Sequence, residues 1–141
     1  MVGGGPLTAA EVRSLKTLGL EDRWRQTDCS EAQLAGLYEG ALALVYPSRY
    51  EGFGLPVLEA MAWGCPVIAA NASSLPEVGG DAALYFTPGD VAQLSGLLEQ
   101  VTGPGERTRL SQAGRARESG YSWESTLDKT MAVYRTACGG A

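Results

Sequence analysis

The sequence predicts an α/β fold in which a parallel sheet is flanked by helices, as a single domain over residues 1–141. Three observations predict it. Apolar runs such as Ala41 to Tyr46 and Pro66 to Ala70 have the composition of strands buried on both faces. Segments with helical periodicity and capping signals alternate with those runs, which is the pattern of a sheet crossed by helices. Right-handed crossovers then make a Rossmann-like sandwich the economical arrangement.

The elements follow in order. Val2 leads into Gly3-Gly4-Gly5-Pro6, the composition of a tight βα turn, with the strand before it nearly absent. Thr8 and Glu11 form a capping box for a helix carrying Val12, Leu15 and Leu18, ended by Gly19. Arg23 to Gln26 is a short candidate strand. Ser30 caps a second helix with Leu34, Leu37 and Tyr38 on one face. Ala41 to Tyr46 is a strand that Pro47 stops. A loop follows, then a helix from about Pro56 to a glycine stop at Gly64.

Pro66 to Ala70 is the next strand. Ser74-Leu75-Pro76-Glu77 fits a second capping box and a short helix. Ala83 to Phe86 is the last strand. Asp90 caps a helix with Val91, Leu94, Leu97, Leu98 and Val101 on one face, which Gly103-Pro104-Gly105 breaks. Another helix spans about Glu106 to Glu118. Ser122 caps a final helix within 119–141, whose Trp123, Leu127, Met131 and Tyr134 read as a core-facing stripe, and the last residues from Cys138 fray.

Composition narrows the chemistry. The chain is 45% hydrophobic and 19% charged, as folded proteins are. Its net charge is −5 and its eleven basic residues are scattered, so nucleic acid is not an expected partner. There is no histidine, which removes Ser-His-Asp and Cys-His nucleophiles and His-containing zinc sites. The three cysteines are dispersed and odd in number, with no CxxC, which fits free thiols in a reducing compartment, and Cys65 reads as a buried small hydrophobe. No apolar run is long enough for a membrane span and no signal peptide is evident, so a cytoplasmic location is expected.

The loop from Pro47 to Leu55 carries the chemistry. It follows a strand's carboxyl end, where open α/β sheets bind ligands, and runs into a helix N-terminus. Free amides of Phe53, Gly54 and Leu55 there suit a phosphate, and Gly52 and Gly54 let it approach the backbone. Glu59, one turn into the helix, leans back toward the mouth and can accept from two adjacent hydroxyls, as on a ribose. Glu51, on the loop, is placed to meet a sugar carried on a diphosphate. Each also has a structural reading: a helix-dipole acid for Glu59, a loop acid for Glu51, turn geometry for the glycines. Arg49 reads as an exposed loop residue, with a charge for the diphosphate as the alternative, and Trp63 reads as core, with a pocket wall as the alternative. Tyr50 and Phe53 are candidate pocket walls, Ser73 is a candidate ligand contact, and Ser74 reads as an N-cap.

The run from Tyr50-Glu51-Gly52-Phe53-Gly54-Leu55-Pro56 to Glu59-Ala60-Met61-Ala62 resembles the E-x7-E motif of family 4 retaining glycosyltransferases, whose GT-B fold pairs two Rossmann-like domains. Tyr46-Pro47-Ser48, Gly64-Cys65-Pro66-Val67, Leu75-Pro76-Glu77-Val78 and Ser122-Trp123 extend the resemblance over nearly the whole chain. It implies transfer of a sugar from a UDP- or GDP-linked donor to an acceptor hydroxyl with retention, without a metal or other cofactor. Glu51 is then the catalytic contact to the donor sugar. Gly52, Phe53, Gly54, Leu55 and Glu59 bind the donor, with Glu59 on the ribose and the amides on the diphosphate.

Relatives open this domain with a further strand and a basic loop, and carry an amino-terminal acceptor domain. The chain therefore reads as the C-terminal, donor-binding half, lacking its first strand and inactive alone. The absent acceptor domain, or a second copy meeting the last helix, is the expected partner. The alternative is a stand-alone nucleotide or nucleotide-sugar binding module without turnover, or one acting with a partner chain. Arg25 to Cys29 departs from the hydrophobic strand that relatives carry there.

Overall fold

The computed structural model describes Val2 and residues 5–139, which fall into two compact units, Met1–Gly36 and Leu37–Ala141. The glycine turn at Gly3 and Gly4 and the end of the tail at Gly140 and Ala141 lie outside the described residues.

In the first unit, α1 (Ala9–Thr17) starts at the expected capping box. The Thr8 hydroxyl accepts the Glu11 amide at 3.3 Å, and the Glu11 carboxylate accepts the Thr8 amide at 2.7 Å. The candidate strand at Arg23 to Gln26 is not formed. The chain instead makes a 3-10 turn at Glu21–Arg23, closed by the Arg23 amide on the Leu20 carbonyl at 3.0 Å. Among the described residues of this unit, strand-like pairing is one parallel bridge between Val2 and Thr27, beside which the Gln26 side chain donates to the Gly5 carbonyl at 2.7 Å. Ser30 and Gln33 form a reciprocal cap for α2 (Glu31–Gly40).

The second unit holds the sheet. Strands β1 (Leu44–Tyr46), β2 (Val67–Ala70) and β3 (Ala83–Phe86) are parallel, in that order. Tyr46 lies opposite Ala69, and Ala70 opposite Phe86. All four β2 residues are buried, which explains its unbroken apolar sequence. β1 is shorter than the run Ala41 to Tyr46, because the Ala41 amide closes on the Tyr38 carbonyl at 3.3 Å and belongs to the helix exit.

α3 (Leu55–Ala62), α4 (Leu75–Gly79), α5 (Val91–Val101), α6 (Glu106–Glu118) and α7 (Trp123–Ala137) complete the unit. Val57, Ala60 and Met61 of α3 are almost wholly buried, each large apolar side chain contributing roughly 2 kcal/mol. α3 packs on α6, where Gly114 makes room for Met61: a Cβ there would stand 3.1 Å from Met61 Cγ. Asp90 caps α5 and Ser122 caps α7 as expected. The stripe of α7 differs from its expectation. Trp123 is 80% exposed, Leu127 and Tyr134 are 60% exposed, and no residue of α7 is buried. Periodicity identifies an apolar face but not what covers it.

Cys65 is buried, which pushes its thiol pKa up, while Cys29 is half-buried and Cys138 exposed; all three are free. Among the described residues no helix is long and apolar enough to cross a membrane.

Candidate functional site

Because β1 and β2 are parallel neighbours, the loops that leave their carboxyl ends emerge side by side. The first is the loop from Pro47 to Gly54, and the second runs from Asn71 to Ser74. The Ser73 hydroxyl donates to the Glu51 carbonyl at 2.7 Å and receives the Glu51 amide at 3.3 Å. The Ser74 hydroxyl reaches the carbonyls of Phe53 at 2.7 Å and Glu51 at 3.1 Å. Ser74 is thus not the side-chain N-cap that its sequence suggests: α4 has no side-chain cap bond, and the hydroxyl that would make one is turned onto the acid-bearing loop. Ser73 stands at φ +54°, a left-handed conformation uncommon outside glycine.

The loop enters α3 at Gly54, at φ +109°. A side chain is excluded twice over at this position. The backbone lies in the left-handed half of the map, and a Cβ would stand 2.8 Å from Leu75 Cδ2. Pro56 occupies the first turn, where its missing N–H costs nothing. The first backbone bond of the turn is Val57 N–H to the Gly54 carbonyl at 3.0 Å. The amides of Phe53, Gly54 and Leu55 precede it, at the end of the helix that attracts anions. The other end is held from α6. The Arg115 guanidinium donates to the carbonyls of Ala62 at 3.0 Å and Trp63 at 3.1 Å, and Gly64 turns the chain away at φ +69°.

Both acids meet a tyrosine. The Tyr46 hydroxyl donates to Glu51 Oε1 at 2.7 Å. The Tyr38 hydroxyl lies 3.4 Å from Glu59 Oε2. The Tyr46 bond, with help from Ser48, holds the Glu51 carboxyl below the usual carboxylate range. Burial, reinforced by the bond to Glu51, pushes the Tyr46 hydroxyl up to about 12. Tyr38 is raised too, by burial and then by the Glu59 charge. Glu59 is exposed and Glu51 half-buried, so both carboxylates remain open to a ligand.

Of the remaining sequence candidates, Gly52 is exposed and a Cβ there would meet nothing within 4 Å. Leu55 is 52% exposed. Phe53 packs edge-on to Tyr121, with ring centres 5.9 Å apart, and Arg117 covers the Tyr121 ring at 5.5 Å. Arg49 is exposed, as read. Trp63 is not core: it is exposed enough to line, with Phe53, Leu55, Glu59, Tyr121 and Trp123, a cavity of about 590 Å³ beside α3. Tyr50, 83% exposed, is not among its walls. The tyrosine partners Tyr38 and Tyr46 were not legible as site residues, because each meets its acid only through the fold. Tyr46 being five positions ahead of Glu51, just before the strand-ending Pro47, was the one available signal. Among the described residues no group of three acidic, cysteine or histidine side chains is arranged to hold a metal ion.

Residues 1–103 match the family described as glycosyl transferases group 1. The chain is 42% identical over 106 residues to the O-antigen chain mannosyltransferase B of Escherichia coli, covering 74% of this chain and 28% of that protein. Sucrose-phosphate synthase from Thermosynechococcus elongatus superposes with a TM-score of 0.75 at 29% identity, over 98% of this chain and 38% of that one. Anabaena HepE, solved in complex with UDP-glucose, superposes with a TM-score of 0.76 at 23% identity, over 91% of this chain and 36% of its own. The sheet and its flanking helices are therefore those of a GT-B glycosyltransferase domain, and the chain spans less than a third of the mannosyltransferase it matches.

Proposed function

The chain belongs to the group 1 glycosyl transferases, and from that premise we propose that it is the donor-binding, C-terminal half of a retaining glycosyltransferase using a UDP- or GDP-linked sugar. The observation that carries the proposal is that Glu51 precedes and Glu59 follows the N-terminus of α3 along the chain, at the spacing of the E-x7-E motif. In this reading Glu59 accepts the two ribose hydroxyls. The amides of Phe53, Gly54 and Leu55, with Gly52 leaving the approach clear, hold the diphosphate. As the bond between the anomeric carbon and the phosphate oxygen breaks, the electron pair leaves with the diphosphate, and the helix N-terminus stabilises that charge. The Glu51 carboxylate faces the sugar and stabilises the positive charge left on the anomeric carbon. The acceptor hydroxyl then bonds to that carbon on the face the diphosphate leaves, and its proton passes to the departing phosphate oxygen.

Nothing in this scheme uses a metal or other cofactor. An acceptor-binding domain is the partner we assign to the exposed apolar face of α7, and the free thiols are compatible with the reducing cytoplasm we assign to the reaction.

Calorimetric titration of the purified chain with UDP and GDP tests the proposal. Binding of one, weakened about tenfold or more by Glu59→Ala, is the expected result, since a hydrogen bond to a charged group contributes roughly 1.5–3 kcal/mol. A folded chain that binds neither, or binds one equally well without Glu59, would overturn it.

A further inference from the structure

The Glu51 segment is held from two independent directions. Ser73 and Ser74 fix its main chain through four hydrogen bonds of 2.7 to 3.3 Å. That leaves the rotatable side chain of Glu51 as the remaining freedom, and the Tyr46 hydroxyl at 2.7 Å restrains it. Tyr46 is well suited to this because it is itself placed by the sheet, at the carboxyl end of β1 opposite Ala69. A group on a strand is located more closely than one on a loop. Its hydroxyl donates to Oε1 of that carboxylate.

We propose that Tyr46 is a positioning residue that aims the Glu51 carboxylate at the sugar of the donor, and so gives the site its preference for a nucleotide sugar over the bare nucleotide. The inference rests on the donor-binding reading. It assigns Tyr46 no contact with the nucleotide, which distinguishes it from Glu59 and the helix amides. The same bond, with help from Ser48, holds the Glu51 carboxyl below the usual carboxylate range.

The test compares UDP with UDP-glucose, and GDP with GDP-mannose, on the wild-type chain, Tyr46→Phe, Glu51→Gln and the double variant, each first shown folded by circular dichroism. The phenylalanine keeps the ring and removes only the hydroxyl. Expected is unchanged affinity for the bare diphosphate in Tyr46→Phe, with the added affinity conferred by the sugar reduced about tenfold, and no further loss when the change is made in Glu51→Gln. Equal weakening of nucleotide and nucleotide sugar would overturn the proposal, as would an undiminished sugar preference.

A wild-type chain that binds none of the four ligands removes the donor reading and this inference with it. One that binds them, yet behaves as in either overturning case, removes this inference alone. A readout without any variant stands behind these. The carboxyl-carbon NMR titration of wild-type Glu51 is expected to fall below the ordinary glutamate value of 4.5, and an ordinary value would overturn the proposal.

Discussion

Gly54 and Leu75 are in contact so close that the smallest possible side chain on the first would collide with the second: a Cβ on Gly54 would stand 2.8 Å from Leu75 Cδ2. Gly54→Ala therefore combines an unfavourable positive φ with overpacking against α4, a loss of about 2–4 kcal/mol in urea denaturation. Gly52→Ala, two residues earlier, has open space around it and is expected to change stability by less than about 0.5 kcal/mol. Equal effects of the two would show that the loop is not held against α4.

Ser74→Ala separates the two roles open to that serine. Acting on the carbonyls of Glu51 and Phe53, it orders the loop, and its removal is expected to accelerate amide exchange at Phe53, Gly54 and Leu55 about fivefold. Acting as a helix cap, its removal would instead accelerate exchange in α4, at Glu77 and Val78.

Alkaline titration reports the buried Tyr38 and the half-buried Tyr46 and Tyr85. An unfolded chain ionises its tyrosines near 10, whereas burial holds Tyr46 and Tyr85 up to about 12 and raises Tyr38 as well. The folded form thus binds protons that the unfolded form has lost. The stability linked to these hydroxyls is complete below pH 10 and is lost as pH rises through about 12. Tyrosinate absorbance followed against circular dichroism is expected to show Tyr46→Phe and Tyr85→Phe each removing one late-titrating group. Early titration of both in the folded chain would contradict their placement.

Arg115→Ala removes both donors from the last carbonyls of α3, with an expected loss of about 1–2 kcal/mol in thermal unfolding. Arg115→Lys is expected to restore little, since an ammonium lacks the planar fork that reaches two carbonyls at once. Full rescue by lysine would mean that charge at the helix end, rather than these two bonds, is what matters.

Much of the fold was legible because its determinants are local. Thr8, Ser30, Asp90 and Ser122 each cap the helix their sequence announces, and the apolar runs at Pro66 to Ala70 and Ala83 to Phe86 form strands where they stand. Ser74 has the same local pattern and a different outcome. Two carbonyls of a neighbouring loop compete for its hydroxyl, and no sequence window contains them. Trp63 and the α7 stripe were misjudged for a related reason. An apolar side chain on a helix face announces a need for cover, and the sequence does not say whether cover comes from this unit. At the candidate site the acids and the glycine loop stand out by their spacing, whereas Tyr38 lies 21 residues from Glu59 and the five-residue interval from Tyr46 to Glu51 has no pattern that announces a hydrogen bond.

The bonds that shape the acid-bearing loop span long stretches of chain. Ser73 reaches back 22 residues to Glu51, and Arg115 reaches 53 residues to Ala62. During synthesis the loop and α3 are made before either partner. α3, at eight residues, is too short to persist alone in water. Its two ends are therefore held by segments made later, Ser73 and Ser74 at the entry loop and Arg115 at the exit.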